Sequence, residues 1–72
     1  MSHEAKAALS ERAQSALDSS PIFDLHDLRV RRSGRTLLIT GSVSSFYHKQ
    51  LVQETIRSVV DGVDMVNSVN VR

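Results

Sequence analysis

The spacing of apolar residues changes along the chain, and each change predicts a new element. From residue 3 to 18 the apolar positions Ala5, Ala8, Leu9, Ala13, Ala16 and Leu17 fall on one face at a period of 3.6. This predicts an amphipathic helix whose alanine-rich stripe allows close packing but buries little area, at ~25 cal/mol per Å². Asp18 to Pro21 end it, because proline lacks an amide proton and disfavours helix in the residue before it. From His26 to Arg32 the pattern alternates, with Leu28 and Val30 on one side and Arg29 and Arg31 on the other, which predicts a strand with one wet face. Ser33 and Gly34 are expected to turn it. Residues 36–43, TLLITGSV, form the partner strand, with Leu37, Ile39 and Val43 inward and Thr36, Leu38, Thr40 and Ser42 outward. Gly41 falls on the inward side, where a missing side chain lets a helix or another backbone come close. Ser44 or Ser45 caps a second helix with Val52, Ile56, Val59 and Val60 as its buried stripe, and Gly62 is expected at its C′ position. A valine-rich third strand, closing on Val69 and Val71, ends the chain.

The expected fold is α+β in the order αββαβ, as a single domain over residues 1–72. The second helix returns the chain across the sheet, so the third strand runs parallel to the second. The run Leu37–Ile39 makes the second strand central. The result is a three-stranded mixed sheet with both helices packed on one face. The expected core is Leu9, Leu17, Leu28, Val30, Leu37, Ile39, Val43, Val52, Ile56, Val59 and Val69. The other face is open, lined by Arg29, Arg31, Thr36, Leu38, Thr40, Ser42, Asn70 and Arg72.

Composition narrows the function. Nine basic against eight acidic residues leave a net charge of +1, so any electrostatic function must be local. Cysteine is absent, which removes disulfides, thiolate nucleophiles and the common structural zinc sites. No apolar run approaches the ~20 residues of a membrane span. The first residues lack the basic-then-apolar layout of a secretory signal. The expected compartment is the periplasm or cell envelope if the segment comes from an exported parent, and the cytoplasm if the chain is complete.

With these elements in place the chain resembles the BON domain family. The resemblance rests on a strand of the form V-x-L-x-G-x-V, matched by Leu37, Ile39, Gly41 and Val43, followed by a helix and G-V-x-x-V-x-N-x-V. The second motif falls on Gly62, Val63 and Val66, with Asn67 one place early and Val69 and Val71 closing the strand. The likeness runs from Ala5 to Val71. It implies a small module of bacterial envelope proteins that contacts phospholipid or another envelope component, with no catalytic residues to carry over.

The candidate ligand-binding residues are Arg29, Arg31, Arg32, Arg35 and Arg72, since guanidinium forks match phosphate oxygens. A solvated hairpin that resists aggregation would show the same charges. Nucleic acid is not the expected partner, because no strand carries an aromatic platform. Phe46 is expected in a core or capping contact, and Tyr47 and His48 half exposed, suited to a membrane or partner interface. The serines of TGSVSS are explained by capping. His3, His26 and His48 stand at no metal-ligand spacing, so no metal or cofactor is expected. Neither a nucleophile elbow nor a cleft-sized insertion is present, so an enzyme is not expected. The expected function is a non-catalytic binding module for anionic phospholipid or another envelope ligand. The alternative is a protein interaction module using a strand edge or helix face, as a homodimer or with another protein.

Overall fold

The structure, a computed structural model, describes residues 2–72, with side chains from residue 9 onward. His3 and the stripe positions Ala5 and Ala8 therefore lie outside the described side chains. The first helix, α1, spans Ser2–Asp18, buries Ala13 and Leu17 and holds Leu9 half-buried. Beyond it the Ser20 hydroxyl accepts the Ile22 amide at 3.0 Å, closing the turn around Pro21.

The expected strand from His26 starts later. Residues Phe23–Asp27 form a 3₁₀ helix, and strand β1 spans Arg29–Ser33. Leu25 and Leu28, three residues apart, are both buried, which suits the three-residue repeat of a 3₁₀ turn and not the two-residue repeat of a strand. Strand β2 spans Thr36–Thr40 and pairs antiparallel with β1, Ser33 lying opposite Thr36. The turn is thus Gly34–Arg35, with Gly34 at a φ of 62° in the first central position, in place of the expected Ser33–Gly34.

Two short segments follow the breaks in the longer strands. Strand β3 is Ser42–Val43, β4 is Asp64–Asn67 and β5 is Asn70–Val71. β4 lies parallel to β2 in the order β1-β2-β4, and β5 lies parallel to β3. The amides of Asp64, Ser68, Asn70 and Arg72 donate to the carbonyls of Arg35, Ile39, Gly41 and Val43 at 2.8–2.9 Å. All four bonds keep one register, so the short pair continues the ladder of the long one past Gly41. The expected second and third strands are each single ribbons with a local break.

Helix α2 spans Phe46–Arg57 and is capped by Ser45, whose hydroxyl accepts the His48 amide at 3.1 Å. It ends at Ser58, so Val59 and Val60 lie in the turn beyond it, and Gly62 (φ 68°) shapes the approach to β4 instead of serving as C′. Both helices pack on one face of the α+β sheet and touch each other. Between them lie Leu17, Leu25, Leu28, Leu37, Ile39, Val43, Val52, Ile56, Val60 and Val69, all buried. Leu37 and Ile39 are buried while Leu38 between them is only half-buried, which confirms the predicted register. Leu9, Val30 and Val59 sit at the core's margin, and Leu25, unread in the sequence, joins its centre.

Candidate functional site

Strand pairing divides the predicted arginine cluster. Residues opposite one another in a ladder share a face. The pairs Arg29–Thr40 and Arg31–Leu38, continued through Leu38–Val66, therefore lie on the face that carries no helix. Arg29 and Arg31 are exposed there, beside half-buried Leu38 and 47% exposed Val66. Among the described residues no hydrogen bond or salt bridge holds either guanidinium. Thr36 and Asp64 occupy the hairpin end of this face, where Asp64 offsets part of the positive charge. Asp64 and Val66 were not foreseen as members of the face, because their place on it depends on the offset between β2 and β4.

The other three arginines are elsewhere. Arg32 lies opposite Leu37 on the helix side and donates to its own turn at the Gly34 carbonyl, 2.6 Å away. Arg35 reaches from the hairpin to the Gly62 carbonyl at 2.7 Å, tying the β1–β2 turn to the entry of β4. Arg72 is at the opposite end of the sheet, 3.1 Å from Asp24 Oδ1. The structure thus joins Arg29 and Arg31 in one surface and gives Arg32, Arg35 and Arg72 bonds within the fold.

Among the described residues Asp24 is the most heavily bonded side chain, and no motif announced it. Its Oδ2 accepts the Ser44 amide at 2.6 Å, the Ser44 hydroxyl at 2.9 Å and His48 Nδ1 at 2.7 Å, while Oδ1 takes Arg72. The Ser44 amide and then the His48 hydrogen bond lower its carboxyl from an ordinary 3.8 to about 2. Of the two serines expected to cap α2, Ser45 does so and Ser44 serves this clamp instead. The imidazole beside Asp24 is His48 and not neighbouring His26, whose Nε2 donates to the Ser20 carbonyl at 2.7 Å. The Ser44 hydroxyl points to the carboxylate and not to the imidazole, so the group is built as a tie between segments. Among the described residues no cluster of three potential metal ligands occurs.

Phe46, expected in a core or capping contact, is not in the core: it is the first residue of α2, directly after the Ser45 cap, and is 63% exposed. Tyr47 is 64% exposed and His48 partly buried. In comparison with known proteins, the chain matches no family model and no curated protein.

Proposed function

We propose that the chain is a small non-catalytic binding module that docks its open sheet face on anionic phospholipid headgroups. The observation that carries this reading is the pairing of exposed, unengaged Arg29 and Arg31 with the apolar row Leu38–Val66 on a face no helix covers. A rigid sheet holds two guanidinium forks at fixed spacing, the arrangement that favours phosphate oxygens. The motif likeness to BON domains supports the same ligand class. Pairing through a strand edge has less support. The Gln14 side chain already bonds the outer edge of β1 at Leu28 and Val30, and Asn67 bonds the Val69 amide beside β4.

Each arginine near an anionic membrane contributes about 1 kcal/mol, so two give roughly a thirtyfold preference over neutral lipid. The preference fades as the Debye length shortens from ~10 Å at 0.1 M salt to ~3 Å at 1 M. Co-sedimentation with phosphatidylglycerol and phosphatidylcholine vesicles at both salt levels tests this. The Arg29→Ser, Arg31→Ser variant is expected to lose the preference at low salt. If it pellets with anionic vesicles as the unaltered chain does, the reading fails and the arginines are a solvated face.

A further inference from the structure

Strand register lays the open sheet face out as a grid. Opposite positions of β1, β2 and β4 share a row, which gives Ser33–Thr36–Asp64 at the hairpin end and Arg31–Leu38–Val66 beside it. The next row begins with Arg29 and Thr40. Ser68 completes it, because the Ser68 amide keeps the ladder's register on the Ile39 carbonyl at 2.9 Å. Both neighbours of Ser68 turn inward: Asn67 donates from Nδ2 to the Lys49 carbonyl of α2 at 2.8 Å, and Val69 is buried. Alternation therefore sends the Ser68 side chain to the open face. Ser42 and Asn70 pair in the row beyond.

The rows on the two sides of the arginines differ in chemistry. Toward the hairpin stands the Asp64 carboxylate, which repels an anion. Away from it stand half-buried Thr40 and exposed Ser68. The hydroxyls of Ser20, Ser44, Ser45 and Ser58 serve turns, the clamp and caps, whereas among the described residues those of Thr40 and Ser68 take no hydrogen bond within the fold. Neighbouring strands lie roughly 4.8 Å apart, and alternate residues of one strand about 6.6 Å. Both hydroxyls are thus within a headgroup's length of a phosphate held at Arg29 and Arg31. The chain's three aromatic rings, Phe23, Phe46 and Tyr47, are exposed but stand off the sheet, on the 3₁₀ helix and at the start of α2. The face therefore meets a ligand through hydrogen bonds and one shallow apolar row.

We propose that this face selects phospholipids whose headgroup carries free hydroxyls, a glycerol head above all, with Thr40 and Ser68 as the selecting residues. The proposal rests on the docking reading above and adds to it a choice among anionic lipids of equal charge. Arg29 and Arg31 take the phosphodiester oxygens, as they do for any such lipid. A hydroxyl both donates and accepts, so Thr40 and Ser68 pair with headgroup hydroxyls that do the same. A headgroup ending in a methyl group displaces their water and returns no bond. The Leu38–Val66 row beside Arg31 gives contact to the apolar part of a lipid, which a free glycerol phosphate lacks.

The test is co-sedimentation of the whole chain at low salt with phosphatidylcholine vesicles carrying equal fractions of either phosphatidylglycerol or phosphatidylethanol. The two present the same phosphodiester charge, with and without hydroxyls. The chain is expected to bind the phosphatidylglycerol vesicles about fivefold more tightly, the worth of one net hydrogen bond. A Thr40→Val, Ser68→Ala variant is expected to bind both as the unaltered chain binds phosphatidylethanol, since valine keeps the branched shape that suits the strand. Thr40→Ser, which retains the hydroxyl, should keep the excess. Equal binding of the unaltered chain to the two anionic lipids, or an excess that survives in the double variant, overturns the proposal and leaves the arginine docking standing. Binding no stronger than to phosphatidylcholine alone overturns the docking reading and this proposal with it, so the two failures are told apart.

Discussion

At Gly41 the backbone takes a φ of 129°, and an added Cβ would lie 2.8 Å from Leu28 Cδ2 and 3.1 Å from the Asp27 carbonyl oxygen. The inward position was readable from strand alternation, and so was the close approach. What approaches is not a helix but the backbone that leaves the 3₁₀ turn, invisible in a segment whose alternation read as strand. Gly41→Val must both overpack this contact and strain the dihedral, at a cost of about 2–4 kcal/mol. Against a total of ~5 kcal/mol for so small a domain, the thermal midpoint is expected to fall sharply. A midpoint within a degree of the unaltered chain would show that Leu28 does not press on Gly41. Ser44 and Ser45 show the limit of residue-level reading. Both are good caps by type, and only the position of Asp24 twenty residues earlier separates their roles.

At the scale of elements, the edge of β1 is covered by one side chain from α1. Gln14 donates from Nε2 to the Leu28 carbonyl at 2.9 Å and accepts the Val30 amide on Oε1 at 2.9 Å, so its carboxamide stands in for a short piece of neighbouring strand. Gln14→Ala leaves both backbone groups without these partners and is expected to cost about 1–3 kcal/mol. Urea unfolding gives the cost, and amide exchange at Val30 should accelerate more than at Ile39. An unaltered rate at Val30 would mean that water satisfies the edge equally well. The register of β2 gives a paired expectation. Ile39→Ala opens a cavity at about 2–5 kcal/mol, whereas Leu38→Ala on the open face changes stability much less. Equal losses would contradict the observed orientation. The strand and helix periods were legible because each element has one apolar face. Other boundaries were not: the start of β1, where Leu28 and Val30 alternate straight out of a 3₁₀ turn; the hairpin turn, one residue later than expected; the breaks at Gly41 and after Asn67; and the end of α2, where Val59 and Val60 continue an apolar pattern into a turn.

At the scale of the whole molecule, Asp24 joins the 3₁₀ helix, the entry to α2 and the C-terminal residue through bonds spanning 20 to 48 positions. Its carboxyl is lowered from 3.8 to about 2 in the fold. A lowered carboxylate stabilises the folded state at pH above its unfolded value, and that contribution is lost as pH falls through the folded one. The clamp should therefore be complete above about pH 4 and fail toward pH 2. Asp24→Asn is expected to lower the thermal midpoint at pH 7, with the gap to the unaltered chain narrowing below pH 4. A gap constant down to pH 2 would mean that the charge on Asp24 contributes nothing. While the adjacency of β4 to β2 came from the fold, the sequence by itself determined the two helices to within their ends, the antiparallel hairpin, the central place of β2 and the face on which Arg29 and Arg31 stand. Those features follow from local periods and from the short hairpin and crossover that connect them. Only the tertiary structure decided that Arg32, Arg35 and Arg72 bond within the fold, that Asp24 gathers three segments, and that all three aromatic rings face solvent. Each of these depends on contacts between distant parts of the chain, which no local pattern of apolar and polar residues encodes.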